Sequence, residues 1–529
     1  MNLIQQKLIL SWPFLLGLIL GMYLLVFGVL GMDLNYFPGD LGDARFNAYI
    51  LEHGYQFFSG QVDSYWSAPF MYPEQNVITF SDNLIGTVPV YSIFRLFGAD
   101  VLSSFQGWFI LVSALNYFCA YYFLKWLTKN RYAAVLGAFI FAFSIVLQSQ
   151  MTHAQIFPRF FIPLALWMLL RFKESLSPRH FFWAVFFLIA QFYAGIYLGF
   201  MLTIPFGIIL LSILFYSKRT EFFVQLKKLK WIGMMAAASA FNLFLLGKLM
   251  LPYYERSKTM VSTPYESIVH SIPTLKSFFY SQPGSLLWDG LSNTGSDYLA
   301  SWDHQLFPGI IVILSMLLVT IVVLFQKRLH KFTGEIDGNI KLLFAAGLIS
   351  FLLFTRYQGY SLYQFVYKLP GFDSMRSLTR IINVELLFMG IAVAVVAVII
   401  FKRFEKLTIP IFIGLFTLIC IDNYFFTDNS YRTEKSIAQE RTDTLVNRFS
   451  YLNEGSLISY EPLNFEFPAH VYQLDAMLAS QELHLKTVNG YTGNSPHGYD
   501  AFWWDMDQNS RNQWFDVVGH PEDTLHIIH

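Results

Sequence analysis

The sequence predicts an all-α polytopic membrane protein of about eleven spans. A large extracytoplasmic first loop and a small mixed α/β extracytoplasmic domain at the C-terminus complete the expected architecture. Three observations predict it. Of 529 residues, 55% are hydrophobic and 14% charged, where soluble globular chains carry about 25% charged residues. The mean hydropathy is +0.44. Apolar runs close to the ~20 residues that a bilayer-crossing helix needs recur along the chain. The same deficit of charge excludes a disordered chain and argues against a large soluble enzyme. Net charge is zero, from 36 basic and 36 acidic residues, so no basic excess points to nucleic acid. The 55 Phe, 30 Tyr and 12 Trp suit lipid contact and membrane interfaces. Cys119 and Cys420, both in apolar runs, exclude a disulfide framework and argue against a metal–thiolate site.

The expected spans lie near 9–31, 101–124, 132–148, 157–170, 181–194, 197–216, 231–250, 305–325, 340–355, 381–401 and 407–425. The fourth, fifth and ninth are short. Segment 84–98 is apolar but broken by Pro89 and Arg95, and reads as an interfacial or re-entrant helix. The first span is too long for a removed signal peptide and lacks a small-residue cleavage site, so it reads as an anchor. Lys and Arg collect on the cytoplasmic side of membrane proteins. Here they collect after spans two, four, six, eight and ten, as in Lys125, Lys129 and Arg131, or Lys402, Arg403 and Lys406. Segment 32–83 instead holds Arg45 alone against seven acids from Asp33 to Asp82. The expected topology therefore has the N-terminus inside and the C-terminus outside. Residues 1–425 form the membrane module, with outer loops 32–83, 251–304 and 356–380, and 426–529 form the outer domain. Strand-like stretches such as Leu457–Tyr460 and His484–Val488 give that domain its mixed character.

Ionisable groups near a membrane are costly and point to function. Asp40 and Asp43 follow the first span, with Gly39 and Gly42 allowing a tight backbone path. Either carboxylate can act as a general base, bind a divalent cation through oxygen, or cap the next helix; Asp43 reads as the functional one. Ser81 or Asp82 can cap a helix beginning at Leu84. Gln148 to Arg159 place three amides, His153 and Arg159 at the outer mouth of two spans, with His153 and Gln155 too close in sequence to share a helical face. Arg376 and Arg380, four apart, share a face if helical. Two such cations at an outer mouth need an anion. Arg binds phosphate in bidentate fashion; the bland alternative is pairing with Asp373 or Glu385. The tail's Phe502-Trp503-Trp504 reads as core or interface, or as a sugar-stacking platform.

The succession Gly42-Asp43…Asn47, Tyr72-Pro73, Ser81-Asp82-Asn83-Leu84-Ile85-Gly86, His153-Ala154-Gln155 and Pro163-Leu164-Ala165-Leu166-Trp167 resembles bacterial polytopic glycosyltransferases of the GT-C superfamily. Leu369-Pro370-Gly371-Phe372…Arg376…Arg380 and Asn489-Gly490-Tyr491-Thr492-Gly493 add to that resemblance. It covers most of residues 1–400. The resemblance implies a GT-C-like fold in a bacterial inner membrane and a mannosyl- or arabinosyltransferase-like activity dependent on a polyprenyl-phosphate sugar. A hexose or pentose would pass with inversion to a cell-envelope glycan, lipid or protein acceptor. Asp43, with Asp40 beside it, matches the acidic position that would be the base. Arg376 and Arg380 would hold the donor phosphate, with Lys276 a weaker candidate. Asp82, His153, Gln155, Arg159 and Asn47 would line the substrate pocket. Relatives often carry two adjacent acids where this chain has Asp40 and Asp43 apart, which leaves a divalent cation open, and the sequence has no dedicated cation cage. Two other readings compete. A lipid-linked glycan transporter or flippase would show internal repeats and polar residues deep in several spans. A non-catalytic glycan-binding accessory protein would bind through its tail alone.

Overall fold

The computed structural model describes residues 3–260, 263–426, 428 and 431–529. Residues 1–2, 427 and 429–430, at the ends of the two expected regions, and 261–262 of the second outer loop lie outside the described residues. Seven described helices are long and apolar enough to cross a membrane: Ser11–Leu30, Val101–Thr128, Arg131–Gln150, Ala154–Ser175, Ile196–Tyr216, Leu229–Ser257 and Leu378–Arg403. Four shorter apolar helices, Pro178–Ala194, Ile310–Leu324, Gly338–Leu353 and Thr408–Asp422, fall where the remaining expected spans were read. The chain is a mostly helical polytopic membrane protein. Segment 84–98 forms the short apolar helix Ile85–Leu96, with Pro89 in the first turn of its α-helical part, where a missing N–H costs nothing.

Local chemistry sets the helix ends. Asp100 caps Val101–Thr128 by accepting from Ser103 N at 2.8 Å. Asn130 caps the next helix by accepting from Tyr132 N and Ala133 N, each at 3.0 Å. Between these caps, Lys129 takes the left-handed conformation that turns one helix back on the other. The bundle is centred on Arg131–Phe143 and Ile382–Arg403, most of whose residues are buried. Their backbones touch. A Cβ on Gly137 would lie 2.4 Å from Gly390 O, and one on Gly390 would lie 2.4 Å from Gly137 O. Without a hydrophobic drive between helices in lipid, such small-residue contacts are how spans lock together. At one end of the bundle Lys173 Nζ donates to Asn339 Oδ1 at 2.7 Å, and the Trp231 indole donates to Leu176 O at 2.7 Å. This brings three of the basic turns together.

Residues 431–529 fold as a small α/β unit. Leu457–Tyr460 is the centre of a parallel sheet, flanked by Lys486–Thr487 and Leu525–Ile528. The helices Lys435–Phe449, Ala469–Glu482 and Gln508–Val518 accompany the sheet. The unit is stitched to the first loop. Tyr36–Pro38 pairs antiparallel with Arg432–Glu434. Met71 N donates to Asn489 O at 3.1 Å, and Thr487 N donates to Pro69 O at 2.9 Å. Arg45 pairs with Asp475 at 2.6 Å in a contact 0% and 4% exposed, and Arg441 closes on the same carboxylate at 2.6 Å.

Candidate active site

The first loop enters the site through the helix Asp43–Phe58. Its N-cap is Gly42, and no side chain caps it. Asp40 instead accepts from Gly42 N at 3.0 Å, so its carboxylate closes the turn that starts the helix. Asp43 stands in the first helical turn, where exposed N–H groups and the helix dipole favour an anion. Its Oδ2 lies 2.9 Å from His153 Nδ1, and its Oδ1 accepts from the Tyr491 hydroxyl. His153 Nε2 points on to Asp303 Oδ1 at 3.9 Å. Burial pulls the Asp43 carboxyl up, but the hydrogen bonds from His153 and Tyr491 and the charges of His153 and Arg380 hold it below its ordinary value. Asp43 is therefore a carboxylate at neutral pH. Burial pushes the Tyr491 hydroxyl well up, and the neighbouring Asp43 adds to this, so the phenol keeps its proton and donates.

One turn along, Asn47 Nδ2 donates to the Asp43 carbonyl at 2.7 Å and to Gln155 Oε1 at 3.0 Å. His153 and Gln155 come from a short 3-10 turn, Ala154–Ile156, and its N-cap, which lets both reach the same helix. Asp82 does not cap the helix that follows it in sequence. It accepts from Ile196 N at 2.5 Å, across 114 residues, and so caps Ile196–Ser212, where the chain runs extended through Gly195. Burial raises the Asp82 carboxyl, and Arg380 and the Ile196 N–H oppose this.

Arg376 and Arg380 do not share a helical face. Arg380 lies in the 3-10 turn Leu378–Ile381, and Arg376 precedes it in non-helical chain. Both nonetheless reach the site. The Arg376 guanidinium donates to Gly493 O, and its backbone N–H donates to the Tyr197 hydroxyl at 3.0 Å. The Arg380 guanidinium lies 4.8 Å from the centre of the Tyr197 ring, and its buried Nε has no partner. Among the described residues neither arginine forms a salt bridge with Asp373 or Glu385, and the Arg380 charge acts instead on the Asp43 and Asp82 carboxylates.

These groups meet at a cavity of about 1950 Å³. Asp43, Asn47, Asp82, Gln155, Arg376 and Arg380 line it. His153 stands one contact behind Asp43 and Asp40 beyond the helix turn. Arg159 is elsewhere. It is 0% exposed, its Nη1 donates to Asn383 Oδ1 at 3.3 Å, and its guanidinium lies 5.2 Å from the Phe141 ring centre, joining spans inside the bundle. Lys276 pairs with Asp297 at 2.7 Å on the surface, away from the cavity. Sequence reasoning missed Tyr197, His270, Asp303, Tyr491 and Asn494, which also line the wall. Only Tyr491 lay in a segment already singled out. Away from these groups the cavity wall is mostly apolar, with Ser239 and Asn242 among the polar exceptions on Leu229–Ser257. Phe181, Val185, Leu188 and Ile189 face it from Pro178–Ala194, and Leu243, Leu246 and Met250 from Leu229–Ser257. No group of three or more His, Cys, Asp and Glu among the described residues is placed to hold a metal ion.

Fold and site together define a polytopic helical membrane protein with an amphipathic cavity, lined by acidic and basic groups on one part of its wall and mostly apolar elsewhere. Residues 14–423 match the model of a family described as a domain of unknown function, DUF6311, and the chain belongs to that family. No curated protein matches. Among solved structures, the Archaeoglobus fulgidus oligosaccharyltransferase in its apo form is similar at a TM-score of 0.47 and 12% identity, over 91% of this chain and 65% of that one. The same enzyme in complex with Zn and sulfate is similar at 0.47 and 13%, over 91% and 62%. The chain thus spans less than two thirds of the length of these structures. A likeness this distant leaves the chemistry of this chain to its own residues.

Proposed function

We propose that the protein is a membrane glycosyltransferase that uses a polyprenyl-phosphate sugar on the extracytoplasmic face, with the N-terminus inside and the C-terminal unit outside. The donor's isoprenoid chain occupies the mostly apolar part of the cavity, between Pro178–Ala194 and Leu229–Ser257. Its phosphate meets Arg376 and Arg380. Asp43 takes the proton of an acceptor hydroxyl as that oxygen bonds to the anomeric carbon. The bond from the anomeric carbon to the phosphate oxygen breaks, and the two guanidiniums meet the charge that develops there. Direct displacement of this kind inverts the anomeric centre.

The observation that carries this reading is the pairing of opposites in one cavity. An ionised Asp43 and two arginines, of which Arg380 is near enough for its charge to act on the Asp43 and Asp82 carboxylates, line one cavity whose wall is elsewhere mostly apolar. Guanidiniums pair with phosphate in bidentate fashion, and apolar wall in the same cavity suits a lipid that carries the anion. The experiment is sugar transfer by membranes containing the wild type or Asp43→Asn, offered radiolabelled polyprenyl-phosphate hexoses and pentoses. Glycoside formation by the wild type and its loss in a folded Asp43→Asn are expected. Normal transfer by the variant removes Asp43 as the base. Movement of donor across liposome membranes without any glycoside overturns the enzyme reading in favour of transport.

A further inference from the structure

Tyr491 and Gly493 stand two residues apart on one loop of the C-terminal unit, and each touches a different part of the site. The Tyr491 hydroxyl donates to Asp43 Oδ1, and Gly493 O accepts from the Arg376 guanidinium. The loop is held firmly. Asn489 Oδ1 accepts from Tyr460 N at 2.8 Å, and its Nδ2 donates to Tyr460 O and to Gln473 Oε1, each at 3.0 Å. The same Gln473 oxygen accepts from Gly490 N at 3.0 Å. A Cβ on Gly490 would lie 2.1 Å from Met71 Cγ, so the loop passes where only glycine fits. The Tyr491 ring stacks on Trp503 with centroids 5.1 Å apart and meets Phe46 edge-on at 5.5 Å. Ring packing on two sides fixes where the hydroxyl points.

We infer that Tyr491 is a positioning residue that acts through Asp43, so that the C-terminal unit is part of the reaction centre. This rests on the reading of Asp43 as the working carboxylate. A carboxylate serves as base only when oriented at its proton. Asp43 receives side-chain hydrogen bonds from two groups, His153 on one oxygen and Tyr491 on the other. The charged and titratable groups around it are His153 from the segment before Ala154–Ile156, Arg380 from Leu378–Ile381, Asp40 from its own loop and His470 from Ala469–Glu482, with Asp303 behind His153. Asp40 opposes ionisation of Asp43, and the two donors favour it. Removing the phenol leaves His153 as the one side-chain donor.

The test reads the carboxyl itself and needs no substrate. Dicyclohexylcarbodiimide reacts with a protonated carboxyl, so its labelling of Asp43 in the full chain in detergent, followed by mass spectrometry against pH, gives a midpoint. Tyr491→Phe keeps the ring and loses the donor. Its midpoint is expected to rise by about one pH unit, with roughly tenfold more labelling at a fixed pH above both midpoints. A midpoint equal to the wild type, in a variant with wild-type thermal unfolding, overturns the inference. Should Tyr491→Phe not fold, Trp503→Phe, which loosens the stack and keeps the hydroxyl, is expected to give a smaller shift in the same direction, and no shift there overturns it too. Transfer that survives Asp43→Asn while Tyr491→Phe shifts the midpoint would remove the base assignment and leave the Tyr491 contact standing.

Discussion

Asp43 and Arg45 stand two residues apart on one helix, and residues of the C-terminal unit hold both. Their surroundings are opposite. Arg45 is sealed, 0% exposed, against an Asp475 that Arg441 also grips. Asp43 keeps 29% of its side chain exposed, at the wall of a large cavity, with a phenol and an imidazole as its partners. A charge buried against a countercharge is scaffold. A charge held by hydrogen-bond donors on one side and facing open space on the other is free to do chemistry. Proximity in sequence says nothing about which fate a residue meets.

The sharpest way to break this comparison is to cross the two substitutions. Asp43→Asn is expected to lower sugar transfer by about 10²- to 10⁴-fold with its thermal unfolding in detergent unchanged. Arg45→Ala is expected to do the reverse, destabilising the protein by about 3 kcal/mol. That is the lower end for breaking a buried pair, because Arg441 remains on Asp475. Calorimetry and a transfer assay on both variants decide it, and an Arg45→Ala protein that is fully stable yet inactive would erase the distinction. A smaller effect belongs to Arg380. Arg380→Gln is expected to weaken binding of farnesyl phosphate by about 10- to 100-fold, the worth of hydrogen bonds to a charged group, measured by titration calorimetry. Unchanged affinity would place the phosphate elsewhere. The smallest effect is in pH. A base works ionised, and Asp43 is held below the ordinary aspartate value of 3.8. Transfer should therefore hold as pH falls through 5 and be lost only on passing through that lowered value. An acid limb centred above pH 5 would show that another group is the base.

Much of the membrane part was legible because its signal is local. Apolar length marks a span, and clustered Lys and Arg mark the turns, so Val101–Thr128 or Leu378–Arg403 can be seen from a short window. The Leu457–Tyr460 strand was legible for the same reason. The site was legible only as residue types. Arg376 and Arg380 were expected on one helical face. They meet the cavity because the chain bends into a 3-10 turn between them, and no spacing rule encodes that bend. Asp82 looked like the cap of the helix after it and caps one 114 residues away. Tyr491 reaches Asp43 across 448 residues. Contacts of that range leave no period in the sequence, and they are what make a cavity out of separate loops.

The two-strand ladder between Tyr36–Pro38 and Arg432–Glu434 has a consequence for the order of events at the ribosome. The first loop emerges early, and its partner strand emerges only after the last apolar helix has been made. Tyr491 follows later still. Through most of its synthesis the nascent chain carries Asp43 in a first loop that nothing yet closes, and Arg376 and Arg380 follow only in segment 356–380. The wall around Asp43 is complete only once Tyr491 and Gly493 have been made.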